Sequence, residues 1–127
     1  YYFRDFWYCD SGMIPWLILI DIMSEESAAL SQLVSDCVSM FPCSGEINLE
    51  TNDIFGSIEK VKNRFSASAR SISRVDGISL EFEDWRFNLR GSNTESLLRL
   101  NVEARESIDL MKEKTEALVS FLKENCQ

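Results

Sequence analysis

Asp76-Gly77-Ile78-Ser79-Leu80-Glu81-Phe82-Glu83-Asp84-Trp85-Arg86-Phe87-Asn88-Leu89-Arg90 alternates apolar and polar residues. Successive side chains of a strand point to opposite faces, so a period of two marks strands with one face buried and one in water. Ile78, Leu80 and Phe82 line one buried face, and Trp85, Phe87 and Leu89 line the next. Glu83-Asp84 separates these runs and Asp76-Gly77 precedes the first, at distances short enough for hairpins. Upstream, the same period begins at Ser71 and passes through Ile72 and Arg74-Val75; downstream, a further strand over Leu97 to Val102 follows the polar loop Gly91 to Ser96. Ser107 then caps a helix whose Leu110, Met111, Thr115, Leu118, Leu122 and Phe121 face the sheet. The expectation is an α+β fold, an antiparallel sheet of about four strands with helices on one face.

Outward toward the amino terminus the period becomes helical. Ile54, Ile58, Val61 and Phe65 form the buried stripe of a helix capped by Asn52 or Asp53. Before it, Ser44 to Leu49 reads as a short extended stretch. Leu30, Leu33, Val34, Cys37, Val38 and Phe41 share one face of an earlier helix that Pro42 stops. The first helix, capped by Asp10 or Ser11 and carrying Pro15 in its opening turns, is apolar nearly all round through Trp16-Leu17-Ile18-Leu19-Ile20. Such a helix wants cover on several sides, as in the middle of an α/β domain. Residues 1–50 hold eight acids and one base, whereas 51–127 hold thirteen acids and twelve bases. Charge and pattern together place a boundary between residues 1–49 and 50–127.

Composition excludes several classes. The chain has no histidine, so neither Ser-His-Asp nor Cys-His nucleophile pairs are available from it, and no His-ligated zinc site. No acidic loop has a calcium-hand pattern. A net charge of −8 repels both a phosphate backbone and an anionic lipid surface, so no nucleic-acid or membrane partner is expected. The apolar run Met13 to Ile20 falls short of the roughly 20 residues of a membrane span. Residue 1 is not Met and the first residues lack signal-peptide features, so it is not expected to be a natural start. Cys9, Cys37, Cys43 and Cys126 show no paired spacing and are expected as free thiols of a cytoplasmic protein, with a Cys37 to Cys43 disulfide as the other possibility.

The chemistry concentrates in Arg90-Gly91-Ser92-Asn93-Thr94-Glu95. Arginine offers a planar fork to two oxygens of an oxyanion, Ser, Asn and Thr add short donors, and glycine lets backbone amides approach. These residues also make an ordinary turn, and spacing does not choose between the two readings.

Three stretches in the second half, Asp76 to Phe82, Trp85 to Glu95 and Leu98 to Glu103, resemble the last domain of the α-D-phosphohexomutases. Ahead of them, Tyr2-Phe3-Arg4-Asp5-Phe6, Cys9 to Pro15 and Phe41 to Asn48 resemble the preceding stretch of bacterial phosphomannomutases that supply GDP-mannose. The resemblance covers nearly the whole chain. It implies four domains around a cleft in the intact protein, residues 1–49 being the end of the third, α/β domain plus a linker. Residues 50–127 would be the fourth, with a fold like the TATA-binding protein's, closing over the sugar phosphate.

Carried over by position, Arg90, Gly91, Ser92, Asn93 and Thr94 would bind the phosphate that is not reacting, while Glu95 matches the pattern with no clear contact. The family usually has proline where this chain has Ser96, and often another residue at Gly91; both departures loosen the backbone. The family's phosphoserine loop, Asp-Gly-Asp-Gly-Asp-Arg magnesium loop and Gly-Glu-Met-Ser sugar loop are absent, so no catalytic residue and no metal ligand is expected here, and Mg2+ would bind elsewhere in the full-length enzyme. The implied activity interconverts mannose 6-phosphate and mannose 1-phosphate through a bisphosphate intermediate, with the enzyme's remaining domains as partners. Alternatives are a phosphoglucomutase or phosphoglucosamine mutase, a non-catalytic phosphate-binding or interaction module, and a helical interaction protein in which Arg90 is dispensable. Arg4 and Asp5 are expected to pair with each other or with a helix end, Lys112 and Lys114 to be solvated, and Trp7, Trp16 and Trp85 to pack rather than stack on sugar.

Overall fold

In the computed structural model, which describes residues 2–126, the chain divides into two compact units between Cys37 and Val38. The first begins with a two-stranded ladder of β1 (Tyr2–Phe3) and β2 (Cys9–Asp10). Helix α1 spans Met13–Glu25, and Ser11 Oγ accepts the amides of Met13 and Ile14 at 3.2 and 3.3 Å, one of the two caps expected. Pro15 sits in the first turn, where its missing N–H costs nothing. No residue of α1 is buried, and Trp16, Leu17 and Ile18 are each at least half exposed. Helix α2 (Leu30–Met40) runs across the division and also buries none of its residues, although its apolar side chains share a face.

The second unit is built on a five-stranded antiparallel sheet of β3 (Ile47–Glu50), β4 (Ser71–Ser73), β5 (Ile78–Glu81), β6 (Trp85–Gly91) and β7 (Leu97–Ala104), in the order β3-β7-β6-β5-β4. The extended stretch expected near Ser44 to Leu49 is a full edge strand, pairing Ile47 with Leu100 and Glu50 with Leu97. The boundary expected at 49/50 therefore moves: four-strand counting misses β3, and Ile47 and Leu49 pack on the core of the second unit. At the other edge β4 is shorter than the period implies, because Val75 is 96% exposed and lies in the turn.

Strand β7 alternates half-buried and buried over its whole length, with Leu98, Leu100, Val102 and Ala104 on one face. Ile78 and Leu80 of β5, and Phe87 and Leu89 of β6, complete that face. It is covered by helices α3 (Ile54–Phe65) and α4 (Ile108–Asn125), through Val61, Leu118 and Leu122, all 3% exposed or less. Phe65 meets Phe87 and Phe121 edge-on, at ring centroid distances of 6.1 and 5.6 Å. Both helices start on a side-chain cap: Asp53 accepts the Gly56 amide at 2.8 Å, and Ser107 accepts that of Leu110 at 3.1 Å. Buried Thr51 donates to the carbonyl of Cys126 at 2.7 Å, tying the end of α4 to the approach of α3. With one face packed on helices, the other face of the sheet is left polar, and this polar face carries the candidate site.

Candidate functional site

Alternation places Arg86, Asn88 and Arg90 of β6, and Arg99, Asn101 and Glu103 of β7, on the face away from the helices. Arg86 pairs with Glu103 across the strands at 2.7 Å. Asn88 donates to the carbonyl of Asp76 at 2.8 Å and to Ser79 Oγ at 3.0 Å, fastening the β4 to β5 turn to β6. At the end of this row Arg90 stands directly opposite Arg99. The two arginine side chains are about 30% exposed, open to solvent yet held by neighbours. Glu46 bridges them, its Oε2 lying 3.1 Å from Arg90 Nη2 and its Oε1 3.7 Å from Arg99 Nη1. Asp76 and Glu95 stand farther off, 3.8 Å from Arg90 Nε and Arg99 Nη2 respectively.

Arg90 and Gly91 belong to β6 rather than to the loop, which narrows to residues 92–96. Its base is closed by the Ser92 amide donating to the Leu97 carbonyl at 2.8 Å, and the Thr51 amide donates to the Ser96 carbonyl at 3.2 Å. Inside it the Thr94 amide leans on Ser92 Oγ at 3.4 Å, while Asn93 and Thr94 point their side chains to solvent. Gly91 lies close under α3: a Cβ there would lie 2.6 Å from Ile54 Cγ2. The end of β6 thus meets the first residue of α3 at Gly91, and the loop is tied through Ser96 to Thr51, three residues ahead of that helix. Gly77, at φ +67°, is pressed against the other side, where a Cβ would lie 2.6 Å from Arg90 Cα.

Of the five residues singled out from sequence, Arg90 lies on the open sheet face, Gly91 faces Ile54 on the helix side, and Ser92, Asn93 and Thr94 follow in the loop. Sequence reasoning missed Arg99 and Glu46. Arg99 carries a readable signal, since a hairpin closed around residues 92–96 sets residue 99 opposite residue 90; Glu46 becomes visible only once β3 is known to join β7. The other candidates divide: Trp7 and Trp16, expected to pack, are 80% and 54% exposed, and Lys114, expected to be solvated, is partly covered. Arg4 contacts Asp5 at 3.2 Å, Trp85 stacks on Phe82 at 4.1 Å between centroids, and Lys114 lies against Glu113 and over the Trp85 ring. All four cysteines are free, with Cys126 buried. Among the described residues no group of three or more His, Cys, Asp or Glu is placed to hold a metal ion, and no helix is long and apolar enough to cross a membrane.

Comparison with known proteins places this architecture. The family described as phosphoglucomutase/phosphomannomutase, C-terminal domain, matches residues 46–119, a span that begins at Glu46 and takes in all five strands of the sheet. The phosphomannomutase of Escherichia coli K12 is 48% identical over 124 residues, covering 98% of this chain and 27% of that protein. The phosphomannomutase of Vibrio cholerae O1 is 51% identical over 124 residues, 97% of this chain and 27% of that protein. A Xanthomonas campestris protein named phosphohexose mutases is 43% identical over 123 residues, 97% of this chain and 28% of that protein. The chain thus spans little more than a quarter of the length of these relatives. Its α+β sheet, its span of similarity and the matched family agree, and the chain belongs to the phosphoglucomutase/phosphomannomutase family as a carboxyl-terminal portion that includes the C-terminal domain.

Proposed function

We propose that this chain is the phosphate-holding, cleft-closing end of a phosphomannomutase that interconverts mannose 6-phosphate and mannose 1-phosphate. The observation that carries this reading is identity near one half with proteins named phosphomannomutase across almost the whole chain. Arg90 with Ser92, Asn93, Thr94 and the amides from Gly91 onward hold the phosphate that is not reacting, and Arg99 supplies a second guanidinium beside the first. Two forked donors recognise a tetrahedral anion and ignore the sugar behind it. That suits a reaction whose bisphosphate intermediate must turn round, presenting either end to one grip. Residues 1–37 are the end of the preceding domain, and the exposed apolar faces of α1 and α2 are what supports that assignment.

The phosphoserine and Mg2+ chemistry belongs to residues outside this chain, in a cytoplasmic enzyme feeding GDP-mannose synthesis. The name phosphohexose mutases at 43% identity favours, as a second reading, an enzyme that also accepts the glucose phosphates. The test is a coupled mutase assay on the protein extended upstream through its remaining domains. Arg90→Lys should lower kcat/KM at least about 10-fold, since the charge stays but the fork is lost. Unchanged turnover in Arg90→Lys, or magnesium-dependent turnover from the 127-residue chain alone, contradicts the proposal.

A further inference from the structure

We infer that Glu46 is a built-in stand-in for the phosphate, an anion that occupies the Arg90 and Arg99 pair in the free protein and is exchanged for the ligand on binding. The inference rests on the phosphate-gripping reading of the loop and adds to it a competitor within the same chain. Like charges directly opposed across two strands destabilise a sheet, and Arg90 and Arg99 are so opposed. One carboxylate, with an oxygen on each guanidinium, relieves the repulsion as a bound anion would. Its hold is incomplete. Arg99 Nε is buried and has no hydrogen-bond partner, and the Glu46 contact to Arg99 is long at 3.7 Å. A buried donor left unmade is costly. A carboxylate has two oxygens for the two guanidiniums, whereas phosphate has more to offer the same donors.

The surrounding backbone makes the exchange possible without unfolding. Ser44 is fastened to β7 twice: its amide donates to the Val102 carbonyl at 2.8 Å, and its Oγ accepts the Val102 amide at 3.0 Å. On the other side Ile47 is already in β3, paired with Leu100. The Glu46 main chain is therefore held at both ends while its side chain, 38% exposed, can swing into water. Asp76 and Glu95, each at 3.8 Å from one arginine only, are placed to keep the pair partly neutralised after Glu46 leaves. Swapping one anion for another keeps net affinity low and release fast. That is what a site needs if it must let go of one phosphate end and accept the other.

The experiment is an amide-resolved NMR titration of the 127-residue chain with inorganic phosphate at constant pH and ionic strength, following also the Glu46 side-chain carboxyl carbon. Wild type should show loop amides and the Glu46 carboxyl moving with one common dissociation constant. Glu46→Gln should bind phosphate about 10-fold more tightly, since a neutral amide competes far less for two guanidiniums. Glu50→Gln removes the same charge four residues farther on, at the end of β3, and should change affinity less than about twofold. A structural role alone predicts the opposite for Glu46→Gln, weaker binding through misplaced arginines. Weaker or unaltered binding in Glu46→Gln, an equal gain in Glu50→Gln, or a Glu46 carboxyl that stays still while the loop shifts, overturns the inference. If Glu46→Gln does not fold, the wild-type carboxyl decides. Wild-type phosphate shifts that Arg90→Lys leaves untouched would instead overturn the loop reading, and this inference with it.

Discussion

At the scale of single residues, Gly77 bears on the candidate site through the backbone of Arg90. Gly77 takes a positive φ of +67° and lies against the Arg90 backbone, so it serves the turn and the site together. Gly77→Ala meets both the left-handed penalty and a close backbone contact. It should destabilise the domain by about 1–3 kcal/mol, read by denaturant unfolding. It should also displace the Arg90 resonances, whereas Gly45→Ala, at φ +68° in open space, should carry only the conformational penalty. Arg90 was singled out by the family resemblance of its stretch, because the grouping of an arginine with Ser, Asn and Thr reads equally well as an ordinary turn. Arg99 could have been found from the hairpin around residues 92–96, whereas Glu46 could not, because its place beside the two arginines is fixed only by the pairing of β3 with β7.

At the scale of elements, alternation and capping residues carried most of the information. Strands β5, β6 and β7 and helices α3 and α4 were readable because their apolar side chains recur with a period matching one buried face. Both expected caps that the structure uses in the second unit, Asp53 and Ser107, are short acceptors placed just before a helical stripe. Ser107→Ala should cost about 1 kcal/mol, measured by thermal or denaturant unfolding, with the loop over residues 92–96 unchanged. Leu118→Ala, removing a fully buried side chain between α4 and the sheet, should cost about 2–5 kcal/mol by the same measurement. Strand β3 was only half legible. Four residues with a single polar alternation look like a linker, and only pairing with β7 makes them a strand. Val75 was misplaced for the converse reason: an isolated β-branched residue fits the period, yet the turn around Gly77 keeps it in water.

At the scale of the whole molecule the two units differ in what they bury. Every residue of the buried apolar core lies in Val61 to Cys126, and neither α1 nor α2 buries a residue. Limited proteolysis of the chain should therefore leave a resistant core beginning near Val38, not near residue 50, because β3 is part of the sheet. Cuts within Ile78 to Val102 with residues 1–37 surviving would contradict this division. The apolar side chains exposed on α1, among them Trp16, Leu17 and Ile18, should also drive concentration-dependent self-association in sedimentation velocity. A strictly monomeric profile would speak against it. Such exposure was foreseeable from a helix apolar nearly all round; what covers it was not, since the relatives are almost four times as long.

The central claim is that Arg90 and the loop after it grip phosphate and disregard the sugar. The most direct measurement is an amide-resolved NMR titration of this chain with mannose 6-phosphate, mannose 1-phosphate and inorganic phosphate in turn. Binding should be weak, with a dissociation constant of about a millimolar or more, because one wall of a cleft acts alone. All three ligands should move the amides of Gly91 to Glu95 in the same direction, and Arg90→Lys should strongly reduce the response to each. Shifts confined to Lys112 and Lys114, or an Arg90→Lys response equal to wild type, would mean that diffuse charge attraction and not the geometry of the loop holds the anion.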